Sequence, residues 1–414
     1  MHCAQLVAIG RTRRQRRQPI AVCVDCLADG AQTLGPLRMP GRGPMLGETW
    51  ILEDADVSRG AGIVGSAAGA HRRAWYLTVH TAAVHCGVQG GRVHAPATVA
   101  ITGLRTFLGQ RIAERLALRV PRIRVIGIDL RRPQRLERKI AFERIDLTAP
   151  ASHAQLAELF ARERVEVVLH AAFRRDPTPD IELDHELETV GSLQLLHACA
   201  AAKVARIVLA SSTMLYGPRA DNPLYFAESA PLRGHPEAHC VRNRVEVEGL
   251  VADWARTHPN ATVSVLRSGW IMGPSHWDRV VRHFSRSVVP TLLGYDPLLQ
   301  FVHEEDCLDV FEQVILEDHA GVYNVVAPEP LPLSRILRLA GSTGVPLPPS
   351  LLYPLRDLAS RASTGDPPAA FYDYLRWPWV ADGERAWNRF GEPVYTTREA
   401  WIAFVSSRRL RQYR

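Results

Sequence analysis

From Pro96 onward the hydrophobic positions follow two alternating periods. Short apolar runs occur at Val99 to Ile101, Arg124 to Ile128, Val165 to His170, Arg206 to Ala210 and Val263 to Arg267. Their length and β-branched content are those of strands covered on both faces. Between them lie amphipathic stretches such as Phe107 to Leu118, where Leu108, Ile112 and Leu116 recur every four residues on one helix face. Short strands separated by helices predict βαβ units and a parallel sheet. Because such crossovers are right-handed, the expected architecture is an α/β, doubly wound parallel sheet over residues 96–273. Past Pro274 the alternation loosens and prolines gather at 328, 330, 332, 346, 348 and 349. Residues 274–414 are therefore expected to form a smaller C-terminal lobe with closing helices over the sheet's carboxyl edge.

Residues 1–95 show no comparable periodicity. Arg-rich (11–17), Gly/Pro-rich (35–47) and Ala/Gly-rich (60–70) pieces follow one another, which predicts a disordered arm or an extension outside the working protein. That segment carries eleven arginines against six acidic residues, and so most of the net charge of +7. Nucleic-acid binding by the folded part gains little support from this balance. No apolar run approaches the roughly eighteen residues of a membrane span, and the early arginines precede no apolar block of a secretory leader. A cytoplasmic protein is the expectation. Seven scattered cysteines do not form a disulfide framework. Cys199 and Cys307 fall in apolar helical patterns and are expected in the core, whereas Cys23 and Cys26 form a single C-x-x-C without a second pair at zinc spacing. No metal is expected.

One junction carries chemistry. Val99 to Gly109 reads VAITGLRTFLG and runs from a strand into a helix. A bend there directs backbone N–H groups and the positive helix end at a diphosphate, as in a Rossmann domain. Gly103 permits the tight turn and Gly109 close packing of the helix on the strand. The middle glycine of that pattern is replaced by Thr106, whose Cβ narrows the approach and whose hydroxyl can donate to a phosphate. Phe107 and Leu108 supply the helix-start amides. Asp129 ends the second strand twenty residues beyond Gly109, the position of an acid that grips the ribose hydroxyls of NAD. Arg131 and Arg132 follow and can instead hold the 2′-phosphate of NADP. The carboxylate favours NAD.

With these motifs the sequence resembles the extended short-chain dehydrogenase/reductases, the NAD-dependent epimerase/dehydratase family, in an atypical branch, over about Val99 to Val405. Asp146-Leu147 is similar to the family's adenine-contacting pair, and His170-Ala171-Ala172 to its segment beneath the cofactor. Ser211 to Gly217 (SSTMLYG), Leu266 to Pro274 (LRSGWIMGP) and Phe301 to Asp306 (FVHEED) resemble later signatures. Arg385-Ala386, Phe390-Gly391 and Thr396 to Ala400 resemble its closing helix pair.

The resemblance implies a Ser that positions a substrate oxygen, a Tyr that transfers the proton, and a Lys four residues later that lowers the Tyr pKa. Ser212 takes the serine position; its bland alternative is a hydroxyl that satisfies backbone at a strand end. Aligning Glu248 with the family's helix glutamate puts Cys240 at the Tyr position and Arg244 at the Lys position. The only lysines are Lys139 and Lys203, so no other register restores the pair. Arg244 can still bind ribose hydroxyls and depress a nearby thiol, which makes Cys240 or His239 a substitute acid/base; a surface His239 is the blander reading. Glu188 stands where relatives have Asn, and Tyr216 belongs to the Tyr-Gly signature rather than to the base. The resemblance implies hydride exchange with NAD on a nucleotide sugar or related hydroxyl substrate, and a homodimer through a four-helix contact. A catalytically silent NAD(P)-binding sensor or interaction protein is the alternative. A reductase for a bulkier apolar substrate is a third reading, drawn from Trp270, Trp277, Trp377 and Trp379.

Overall fold

A computed structural model describes residues 6–8, 21–23, 95–174, 181–362 and 369–412. The chain divides into two units, 1–92 and 93–414. In the first, Leu6–Ala8 pairs antiparallel with Ala21–Cys23; Val24 to Cys26, with the second thiol of the C-x-x-C, lies outside the described residues.

The second unit is built on seven parallel strands: β1 (Thr98–Thr102), β2 (Arg124–Asp129), β3 (Ile140–Arg144), β4 (Val167–His170), β5 (Arg206–Ser212), β6 (Thr262–Ser268) and β7 (Gly321–Val325). Their spatial order is β7-β6-β5-β4-β1-β2-β3. The order reverses between β1 and β4, which opens a crevice at the carboxyl ends of the strands where such sheets bind ligands.

All five expected strands are present, and two further ones were not legible. β3 reads IAFER and is buried at only one position, so an edge strand left no continuous apolar run. β7 comes from within residues 274–414. The sheet therefore recruits its far edge from beyond the expected boundary at 273.

Each sheet face carries a helical layer. On one side α1 (Phe107–Arg119) presents Ile112 and Leu116 beside Cys307, Leu308 and Phe311 of α5 (Glu304–Leu316). On the other, α2 (Ser152–Glu163), α3 (Gly191–Ala201) and α4 (His239–Thr257) contribute Leu156, Phe160, Leu195, Cys199, Val251 and Trp254. Both expected core cysteines are fully buried. A third, aromatic cluster belongs to the C-terminal part and includes Trp270, Phe284, Phe301, Tyr372, Tyr374, Trp379 and Trp401. Trp401 sits on the last helix, α6 (Thr397–Gln412).

Candidate functional site

The strand-to-helix bend adopts the geometry its glycines permit. Gly103 has φ +73°, and a Cβ there would lie 2.4 Å from the Ala171 carbonyl oxygen, so only glycine avoids both penalties. A Cβ on Gly109 would meet the Gly103 carbonyl oxygen at 2.2 Å; this glycine lets the helix close onto the turn itself rather than onto the strand. Thr106 caps α1: its hydroxyl accepts from the Gly109 amide at 3.0 Å and donates to the Gly103 carbonyl at 2.8 Å. Its one proton is committed within the turn, which corrects the expectation that it donates to a phosphate. The amides of Phe107 and Leu108 find no protein acceptor among the described residues. They leave the positive end of α1 ready for an anion.

The flanks of the bend are fixed by the residues singled out in the sequence. Asp129 Oδ2 accepts from the Arg105 amide at 2.9 Å, which places the β2 carboxylate against the turn. Ala171 and Ala172 are buried where β4 ends beneath Gly103. His170 holds that end: its ring nitrogens lie 2.7 Å from the Thr102 hydroxyl and 2.8 Å from that of Ser192. Burial drives its pKa down to about 3, so the imidazole is neutral. Asp146 Oδ1 accepts from the Thr148 amide and hydroxyl (3.0 and 2.7 Å), and buried Leu147 backs onto Gly191.

A cavity of about 250 Å³ opens beside the bend. Thr106, Phe107, Leu108 and Ala171 line it on the sheet side, Ser212, Cys240 and Arg244 in the middle, and Trp270, Phe371 and Tyr374 from the C-terminal part. The structure thus brings the three expected catalytic positions together with the bend. Ser212 accepts from the Met214 amide at 3.2 Å, which leaves the hydroxyl proton available to a bound oxygen.

Cys240 departs from expectation. Burial pushes its thiol above the usual range; Arg244 pulls the other way without prevailing, opposed by Glu188 and Asp184. Arg244 therefore does not make Cys240 a thiolate near neutrality. The reason lies in where the guanidinium is spent. It donates to the Arg174 carbonyl at 2.9 Å, lies over the Phe173 ring at 5.1 Å, and stands 3.8 Å from Glu188. Glu188 is fully buried, and its carboxyl is pushed up by that burial, against Arg244 and the Arg174 amide it accepts from at 2.9 Å. Glu188 sits in a π-helical turn, Glu186–Val190, a local irregularity that recurs at functional sites.

His239 lies outside the cavity lining, and its Nδ1 is 2.6 Å from the Arg242 guanidinium. Tyr216 is fully buried. Its hydroxyl donates to Asn324 at 2.7 Å and accepts from Arg267 at 3.0 Å, while Arg267 pairs with Glu248 at 2.6 Å and Ser211 donates to the same carboxylate. Burial raises the phenol's pKa; this network braces β5, β6 and α4. Of the tryptophans, Trp270 lines the cavity, Trp379 is buried beside it, Trp377 packs on Tyr295, and Trp277 is exposed. Tyr374, whose hydroxyl donates to the Met214 carbonyl at 2.9 Å, and His276 also line the cavity. Both lie past the strand–helix alternation, where no periodicity marked them. Among the described residues there is no His, Cys, Asp or Glu cluster suited to a metal ion, and no helix is long and apolar enough to cross a membrane.

Comparison with known proteins agrees with this fold. Among curated relatives, uncharacterized proteins of Mycobacterium tuberculosis strain H37Rv and Mycobacterium bovis are each 30% identical over 326 residues, 76% of this chain and 85% of theirs. Among solved structures, dTDP-glucose 4,6-dehydratase from Bacillus anthracis in complex with NAD superposes with a TM-score of 0.59 at 14% identity, covering 76% of this chain and 97% of that one. UDP-glucose 4-epimerase from Thermotoga maritima with UDP-glucose gives 0.59 at 18%, covering 76% and 99%. The Thermus thermophilus UDP-glucose 4-epimerase complex with NAD gives 0.59 at 21%, covering 75% and 99%. These structures share the fold. Residues 99–326 match the NAD dependent epimerase/dehydratase family, and the chain belongs to it.

Proposed function

We propose that this protein binds NAD and acts as an epimerase/dehydratase-like oxidoreductase on a hydroxyl carbon of a nucleotide sugar or related substrate. The supporting observation is the shared cavity: the open amides at the head of α1 and the Ser212 hydroxyl line one space. The residues present fit a dinucleotide. Gly103, Phe107, Leu108 and Gly109 shape a cradle for its diphosphate, Asp129 stands where a ribose diol is held, and Asp146, Leu147, Ala171 and Ala172 flank the groove. NAD is favoured over NADP because Asp129 repels a 2′-phosphate. When bound, the nicotinamide supplies reversible hydride transfer. The chain's part is to orient. Ser212 donates its free proton to the substrate oxygen, and Arg244, anchored by Glu188 and the Arg174 carbonyl, presents its remaining donors to the nicotinamide ribose. The apolar wall of Trp270, Phe371 and Tyr374 keeps water from the reacting carbon.

Cys240 carries the second reading. A thiol held protonated is a weak proton carrier at neutral pH, which favours a catalytically silent NAD(P)-binding sensor or interaction protein. Val190 (37%) and Leu193 (38%) are exposed near the start of α3, an apolar patch suited to self-association. One experiment separates the readings. The full-length chain is loaded with NAD, and a panel of nucleotide sugars is followed for epimerised or dehydrated product. Turnover supports the enzyme; retention of dinucleotide with no product across the panel supports the sensor; no retention removes both.

A further inference from the structure

The turn between Gly273 and Asp278 holds an unassigned group. Glu304, 2% exposed, accepts from the amides of Ser275 (3.1 and 3.0 Å to its two oxygens) and His276 (2.8 Å), and from the Ser275 hydroxyl (2.8 Å). A Cβ on Gly273 would lie 2.4 Å from that carboxylate, so the turn is clamped against the head of α5. The clamp fixes His276. Its Nε2 lies 3.0 Å from Asp278 Oδ2, and Asp278 Oδ1 accepts from the Val281 amide at 2.8 Å. The imidazole is 7% exposed and stands edge-on to Phe107, the first residue of α1, with ring centroids 4.6 Å apart. Its Nδ1 is buried and has no hydrogen-bond partner among the described residues. Both His276 and the open-amide residues Phe107 and Leu108 line the cavity. A buried nitrogen left without a protein partner at the edge of a cavity is one that a ligand atom can satisfy.

We propose that His276 is an anion-binding residue that donates from Nδ1 to the diphosphate of the dinucleotide seated at the head of α1. The inference rests on the NAD-binding reading above. The ionised Asp278 carboxylate only accepts, so the proton on Nε2 is required, and a second proton on Nδ1 makes the ring an imidazolium. That ring lies between the Asp278 carboxylate and the head of α1. Other charged groups near it are Glu304, which holds its amide, Arg174 and Arg244, which share the cavity, and Arg408 of α6, which lines a neighbouring cavity with it. His276 thereby supplies the donor that Thr106 withholds.

The test is calorimetry of the full-length chain with NAD and with ADP-ribose. His276→Phe keeps a ring against Phe107 but removes the donor, and it weakens both ligands by about tenfold or more, the size of a charge-assisted hydrogen bond. His276→Asn, whose amide nitrogen falls near the Nδ1 position, recovers part of the loss. Melting temperatures of both variants stay near wild type. Affinity within twofold of wild type in His276→Phe overturns the inference while leaving NAD binding intact. Wild-type protein that retains neither ligand overturns the NAD reading and this inference together.

Discussion

At the scale of single residues, the site is governed by how each polar group has been committed. Thr106 spends its hydroxyl on the turn, Arg244 is divided among Glu188, a carbonyl and a ring, and Cys240 stays neutral because burial outweighs the nearby guanidinium. From sequence, the Arg at i+4 from Cys240 suggested an activated thiol. That spacing says nothing of the desolvation and the two acids that oppose it. The consequence is measurable. Cys240 is partly buried and its thiol is raised, so alkylation by iodoacetamide, followed by peptide mass spectrometry at this residue, is expected to be slow at neutral pH. It should accelerate only above the range in which an ordinary cysteine reacts. Rapid labelling of Cys240 at pH 7 would show that Arg244 dominates after all.

At the scale of elements, the position of β1, α1 and β2 was legible because strand and helix periods change sharply at Gly103, and Asp129 falls where the register of β2 puts it against the turn. The π-helical turn at Glu186–Val190 was not legible, since an extra residue per turn leaves no mark in a fourfold pattern. It delivers Glu188 into the protein opposite Arg244, and the pair should behave as a unit. Arg244→Met leaves a buried carboxylate without its cation and is expected to cost about 3–5 kcal/mol in urea unfolding. Adding Glu188→Gln should return most of that loss, so the double-mutant cycle is strongly non-additive. Additive losses would mean the two groups are not energetically coupled. A second contrast concerns the ends of β4 and α5. His170, lowered to about 3, is neutral when folded, so its stabilisation is present above the unfolded histidine pKa and lost as pH falls toward 3. Asp306 is the reverse. It is raised to about 7 by burial, though it accepts from the Val394 and Tyr395 amides at 3.1 and 3.0 Å, and its contribution is present below the unfolded carboxyl pKa and lost as pH rises through 7. Each slope is at most about 1.4 kcal/mol per pH unit, and between about pH 4 and 6.5 they oppose each other. Asp306→Asn should therefore reveal a stability that climbs with pH across this window, in urea titrations at several pH values, where the wild type is nearly flat.

At the scale of the whole molecule, the three apolar clusters define what must be kept together. Among the described residues they draw on positions from Val99 to Val405. The return of the chain to the sheet after residue 273 was not legible in the sequence, because a chain that leaves a sheet and later returns to it carries no signal of where it will dock. Residues 304–325 return as α5 and β7, and α6 then closes the aromatic cluster. Trp401 is fully buried, donates its indole N–H to the Ile336 carbonyl at 2.9 Å, and stacks on Phe301 at 5.4 Å. Burial of one such ring is commonly worth about 3–5 kcal/mol, and α6 buries Ala400, Phe404 and Val405 beside it. A few losses of that size exhaust the net stability of an ordinary domain. Shortening the chain at its two ends should therefore have opposite outcomes. A chain beginning at Val93 is expected to melt as cooperatively as the full-length protein, within a few degrees, and to hold dinucleotide with the same affinity. A chain ending at Thr396, a far smaller deletion, is expected to lose its cooperative transition by circular dichroism and its dinucleotide with it, because Trp270, Phe301 and Phe284 lose the partner that separates them from water. If the N-terminal deletion melts instead and the C-terminal one does not, the clusters identified from Val99 onward are not what holds the nucleotide cradle in shape.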